Sequence, residues 1–180
     1  MVLNDKDAKF CFEKVYKTAE IEPTVAKPHS PDNKALVREV EDVKLDRAYI
    51  GSCTGGKITD FKAAARIMKG HKVAIDAYVV PATMDIQKNL KIEKIGGESL
   101  YDIFVNAGAK IGPASCGACL GGPLDTFGRL NKAEVCISTT NRNFPGRMGS
   151  KSAQVFLASP FTVAASALTG HITDPRSALS

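Results

Sequence analysis

Cys116 and Cys119 stand in the segment Gly112-Pro-Ala-Ser-Cys-Gly-Ala-Cys-Leu-Gly-Gly122, a C-x-x-C pair among glycines that let the backbone approach a bound group closely. Zinc binding, iron–sulfur ligation and thiol exchange all use such a pair. A zinc ribbon needs a second C-x-x-C or suitably spaced histidines, and the sequence has neither. A thioredoxin-like pair opens a helix, whereas Pro123 and the glycines crowd this stretch. A third cysteine, Cys53, lies in Gly51-Ser-Cys-Thr-Gly-Gly-Lys57. The spacing matches the start of a phosphate loop, but Ile58 stands where Ser or Thr would hold magnesium. Between a strand end and a helix start, helix-end N–H groups would stabilise a Cys53 thiolate instead. Three thiols on loops at one sheet edge match an iron–sulfur cluster best. Three thiolates leave one iron of a cubane open, a Lewis acid free to bind a hydroxyl and a carboxylate.

The loop Thr140-Asn-Arg-Asn-Phe-Pro-Gly-Arg-Met-Gly149 adds Arg142 and Arg147, whose planar guanidinium forks suit bidentate grip on carboxylates. Viewed alone, these are as readily ordinary surface arginines; beside a cluster the binding role moves ahead. Cys136 falls in an apolar strand and Cys11 in an expected helix, so both read as core fillers. His29, His71 and His171 are isolated. No Ser-His-Asp set or carboxylate pair offers itself, and no catalytic residue is assigned within the chain.

These loops need a scaffold. The 180 residues, 44% apolar and 24% charged, suit one globular domain with a substantial core. No apolar run reaches the ~18 residues of a membrane span, and the N-terminus lacks an export signal. Five cysteines, an odd number, argue against a secreted disulfide scaffold, so an intracellular, cytoplasmic setting is expected. The formal charge of +5 is uneven: residues 1–60 carry 10 basic and 11 acidic side chains, and residues 61–180 carry 14 and 8. A basic second part permits anionic partners without selecting one.

Two regions are expected. Residues 1–45 hold a short amphipathic helix over Lys6–Lys17 and an extended Pro-rich segment, Glu22–Asn33, packed on the domain. Residues 46–180 alternate strands and helices: strands at 48–50, 73–80, 134–138 and 154–158, helices at 59–68, 83–90, 98–107 and 160–168. That order predicts an α/β fold, a three-layer, mostly parallel, Rossmann-like sheet flanked by helices. Ligands of such sheets sit on the βα loops at the strand carboxyl ends, where the cysteines and arginines fall.

Ile50-Gly-Ser-Cys-Thr-Gly-Gly56, Ser115-Cys-Gly-Ala-Cys119 and Thr140-Asn-Arg-Asn-Phe-Pro-Gly-Arg147, in this order, resemble the aconitase family, with the likeness running from about Glu22 to Pro175. The nearest likeness is to the large subunits of its two-subunit hydro-lyases. The resemblance implies an aconitase-like domain in which Cys53, Cys116 and Cys119 ligate a [4Fe–4S] cluster with one open iron. It places Asn141 near the cluster and Arg142 and Arg147 on substrate carboxylates. It implies a hydro-lyase that isomerises isopropylmalate by dehydration and rehydration in leucine biosynthesis, with homoaconitate or citrate as alternative substrates. It further implies a small subunit carrying a serine base, and N-terminal large-subunit domains beyond this chain. A truncated chain of this kind is expected to be inactive alone, to lack cluster after aerobic preparation, and to self-associate through uncovered apolar surface. A eukaryotic source would move the location to plastid stroma or mitochondrial matrix. A non-catalytic iron–sulfur or RNA-binding domain is the alternative, disfavoured by the lack of aromatic stacking motifs. One position departs: Gly55 stands where many members carry Asn.

Overall fold

The computed structural model describes residues 3–178. Two short strands, β1 (Thr24–Ala26) and β2 (Lys34–Leu36), come first. Next come β3 (Arg47–Gly51), the single turn α1 (Ser52–Gly55), α2 (Ile58–Met68) and β4 (Asp76–Val80). Then α3 (Met84–Ile92), the hairpin strands β5 (Lys94–Ile95) and β6 (Glu98–Ser99), α4 (Leu100–Ala107) and β7 (Lys110–Ile111) follow. The chain closes with β8 (Val135–Ser138), β9 (Gln154–Leu157) and α5 (Pro160–Thr169). Side-chain caps start three of the helices: Thr83, Ser99 and Ser159 accept the N–H of Ile86, Asp102 and Thr162, worth about 1 kcal/mol each. Glycines at 108 and 170, both with positive φ, end α4 and α5.

Seven strands form one sheet in the order β2-β1-β9-β8-β3-β4-β7. The five strands from β9 to β7 run parallel, as the alternation predicts. The Pro-rich segment is extended, and it adds an antiparallel edge: β1 pairs with both β2 and β9. Strand alternation then sorts the core. Ala48, Ile50, Ile137 and Phe156 face Phe61, Phe104 and Val163 of the helices. Tyr49, Cys136 and Val155 face the other way, against Ala118, Leu130 and Met148. That second face is covered by the long connections after β7 and β8, because the Gly- and Pro-rich stretch 112–123 cannot sustain a helix beyond the 3₁₀ turn Ala118–Leu120.

The helix expected over Lys6–Lys17 is not formed. Residues 3–17 hold isolated turns, with Phe10, Phe12, Val15 and Tyr16 all exposed. An isolated helix shorter than roughly 12–15 residues is marginal in water without a packing partner, and among the described residues none buries the apolar side chains of this segment. Cys11 is correspondingly exposed, not a core filler.

Candidate functional site

The connection leaving β3 crosses to β4, while the one leaving β8 crosses to β9 on the other side of β3. The carboxyl ends of β3 and β8 therefore flank a topological switch point, where a crevice opens above the sheet. Cys53 stands just beyond β3, the loop of Asn141, Arg142 and Arg147 beyond β8, and Cys116 and Cys119 beyond β7.

Close backbone packing presents Cys53. A side chain on Gly51 would place its Cβ 2.3 Å from the Val80 carbonyl oxygen, and one on Gly55 would lie 2.2 Å from Thr139. Only glycine fits these two positions. Thr139 fills the space beside Gly55, accepts the Gly51 N–H at 2.9 Å and lies 3.3 Å from the Gly55 carbonyl. Ser52 adopts φ +63°, the left-handed region that a residue with a Cβ rarely enters. The turn that carries Cys53 is thus over-determined by its neighbours.

The C-x-x-C turn is tied down as firmly. Ser115 N–H donates to the Pro81 carbonyl at 3.1 Å, and Ala114 N–H to the Gln87 side chain at 3.0 Å. Ser115 Oγ accepts from Gly117 N–H at 2.9 Å, and Arg129 Nε donates to the Gly122 carbonyl at 2.7 Å. Gly121 takes φ +66°, bringing the chain back toward Gly146 and Arg147.

The three thiols differ in exposure: Cys53 is exposed, Cys116 half-buried and Cys119 buried. Burial pushes the Cys116 thiol up, the Cys53 backbone opposes that as a hydrogen-bond donor, and the Cys53 and Cys119 thiols push it further up. Like-charge neighbours of this kind arise when thiols share one small site. Arg147 Nη2 donates to Cys119 Sγ at 3.7 Å, so the structure joins the arginine loop to the C-x-x-C turn. The same guanidinium lies 5.7 Å from the Phe144 ring centre, and its buried Nε has no hydrogen-bond partner among the described residues. Asn141 and Arg142 are exposed at the rim, without side-chain partners among those residues. Cys136 is fully buried on β8, its thiol pushed up to about 12 by burial. His29 and His71 are exposed and His171 Nδ1 meets the Thr169 carbonyl, so none joins the thiols.

Among the described residues no three His, Cys, Asp or Glu side chains converge on a single metal ion. A cluster asks for less: each thiolate meets a different iron, so the sulfurs surround a volume instead of a point. Three thiols, glycine-lined turns and an arginine with an unused donor fit such a group. A cleft of about 710 Å³ lies beside the Cys53 turn, lined by Thr54, Gly55, Thr139, Ser159 and Thr162 but by none of the three cysteines.

Sequence reasoning missed three residues here. Tyr49 looked like strand core, although its odd position in β3 turns it toward the loops. Thr139 and Asn143 gave no signal as isolated polar residues. Asn143 is buried and donates to the Lys27 and Val155 carbonyls at 2.8 and 3.0 Å, pinning the arginine loop to β1 and β9.

Residues 35–170 match the model of the aconitase family (aconitate hydratase). The chain belongs to that family. It is 54% identical to the chloroplastic 3-isopropylmalate dehydratase large subunit of Arabidopsis thaliana, over 97% of this chain and 36% of the relative. It is 45% identical to 3-isopropylmalate dehydratase large subunit 1 of Methanopyrus kandleri, over 96% of this chain and 40% of the relative. A probable methanogen homoaconitase large subunit of Methanosarcina mazei is 44% identical, over 97% and 42% respectively. The chain spans about two fifths of the length of the curated relatives it matches. Among the described residues no helix is long and apolar enough to cross a membrane.

Proposed function

We propose that this chain is the cluster-bearing part of a hydro-lyase large subunit that isomerises isopropylmalate in leucine biosynthesis. Cys53, Cys116 and Cys119 hold a [4Fe–4S] cluster, and Asn141, Arg142 and Arg147 face the substrate. The observation that carries the reading is the Arg147–Cys119 contact, which sets a cation with an unused donor beside the sulfurs. When bound, the cluster supplies an open iron that polarises a leaving hydroxyl. The chain's own residues orient and bind. Arg147, half-buried against Phe144, offers its guanidinium to one carboxylate, and Arg142 at the rim offers a second fork. Two cationic forks around one site select a di- or tricarboxylate over a monoacid.

No proton-transferring base is assigned to these residues, so turnover needs a partner, the small subunit that the large-subunit names of the relatives imply. The chain alone is then inactive, and a cluster held on these open loops is lost in air. Homoaconitate is the second substrate reading, favoured by the 44% identity to a homoaconitase large subunit. We place the chain in the cytoplasm, or in the plastid stroma for a plant-like source, as the chloroplastic name of one relative suggests.

Anaerobic reconstitution with iron and sulfide tests the reading. The wild type is expected to bind both stoichiometrically, and the Cys116→Ser, Cys119→Ser variant to bind neither. Adding a dehydratase small subunit then tests turnover of isopropylmalate against homoaconitate. A folded wild type that takes up no iron or sulfide overturns the proposal.

A further inference from the structure

Tyr49 and Ser52 raise a question of counting. Both side chains are fully buried, and their hydroxyls lie 3.0 Å apart. Two hydroxyls bring two protons, and the single bond between them uses one. Among the described residues no other oxygen or sulfur accepts from either group. A buried donor without an acceptor is costly, and the pair carries one such donor whichever hydroxyl gives its proton to the other.

The position of the pair suggests where the spare proton goes. Ser52 immediately precedes Cys53 and is held at φ +63°. The Tyr49 ring packs in the cluster of buried side chains that includes Ala118, inside the C-x-x-C turn, and Cys136 below it. Gly128 is kept bare by the same ring, since a Cβ there would come within 2.8 Å of it. Tyr49 therefore rises from β3 toward the underside of the thiol loops, with its hydroxyl at the Ser52–Cys53 corner. Burial holds the phenol well above its usual range, the Ser52 hydrogen bond opposes this, and the Cys119, Cys116 and Cys136 thiols add to the rise.

We propose that the unused Tyr49–Ser52 proton is donated to sulfur of the cluster held by Cys53, Cys116 and Cys119, making Tyr49 a positioning residue for that group from the core side. The inference rests on the cluster reading above. Arg147 approaches Cys119 from the other loop, so the sulfurs are flanked by two donors. A hydrogen bond to cluster sulfur stabilises the more negative, reduced state and raises the reduction potential.

The test compares wild type, Tyr49→Phe, Ser52→Ala and the Tyr49→Phe, Ser52→Ala double variant after anaerobic reconstitution. Each single variant leaves one hydroxyl whose proton can turn toward sulfur, so each is expected to keep a potential near that of the wild type. The double variant is expected to bind the same iron and sulfide, to be reduced at a lower potential and to lose iron to a chelator several-fold faster. A purely structural pair would change the unfolding midpoint without moving the potential. A loaded double variant with wild-type potential and chelation rate overturns this inference alone. A wild type that takes up no cluster overturns it together with the reading beneath it.

Discussion

Two arginines at opposite ends of the sheet show how one side chain serves two purposes. Arg47 opens β3 at its amino end and meets Glu134 at 2.8 Å and the Arg129 carbonyl at 2.8 Å, with the Tyr78 ring 4.7 Å away. Both partners of that ion pair are nearly buried, with side chains 13% and 8% exposed. Arg147, at the carboxyl end, has a thiol and a phenyl ring but no carboxylate within ion-pair distance among the described residues. A charge withdrawn from water is expensive unless it is paired. Each arginine keeps a buried Nε without a hydrogen-bond partner, but the Arg47 charge is paired by Glu134, whereas among the described residues no carboxylate pairs Arg147. In the proposed site, a substrate carboxylate would supply the pair that Arg147 lacks.

The largest effect separates the two ends outright. Cys119→Ser is expected to abolish iron and sulfide uptake while lowering the urea midpoint only slightly, because serine nearly matches the thiol's volume. Retained uptake would remove Cys119 from the site. Next comes the structural end. Glu134→Ala leaves Arg47 withdrawn and uncompensated and is expected to cost about 3 kcal/mol of stability. A cost below about 1 kcal/mol by urea denaturation would mean that Arg47 swings into solvent. Arg147→Leu sharpens the contrast. It is expected to change the stability of the cluster-free chain by less than about 1 kcal/mol, since no charge pair is broken, while weakening carboxylate binding in the loaded enzyme.

The same contrast holds among the sulfurs. At pH 8, the Cys136 thiol, pushed up to about 12 by burial, stays protonated and enclosed, so native protein should be alkylated at Cys53 and spared at Cys136. Peptide mapping reads this directly, and equal labelling before and after denaturation would contradict it. The smallest effect belongs to a third arginine. Arg176 meets Asp174 at 2.6 Å on the surface and holds that carboxyl below its ordinary range. Stability from a depressed carboxyl is present above its unfolded value and lost as pH falls through the lowered one. Asp174→Asn should cost a few tenths of a kcal/mol at neutral pH. In acid unfolding the two proteins should converge once Asp174 is protonated.

Four of the five parallel strands and their helices were legible because a period of two switching to 3.6 is a local signal, reinforced by caps at Thr83, Ser99 and Ser159; the two-residue β7 is too short to show a period. The site loops were legible for a chemical reason: cysteines and arginines on glycine-rich turns have few structural uses. The helix over Lys6–Lys17 failed because its spacing is a property of the segment, whereas helix stability depends on a face to bury against. Tyr49 escaped notice for the opposite reason. In an apolar strand it resembles core from either side, and only the direction of its alternation sends it beneath the thiols.

The sequence by itself determined the order of the four longer parallel strands and the helices between them, the thiols and cations available, and the loops on which they lie. Composition and spacing are local, and local preferences are enough for those. The tertiary structure alone decided that β8 lies beside β3 and that Thr139 fills the space over Gly55. It also decided that Arg147 reaches Cys119 without finding a carboxylate. These depend on contacts between residues distant in the chain, which form only when burial of the shared core outweighs the entropy lost in closing the loops between them.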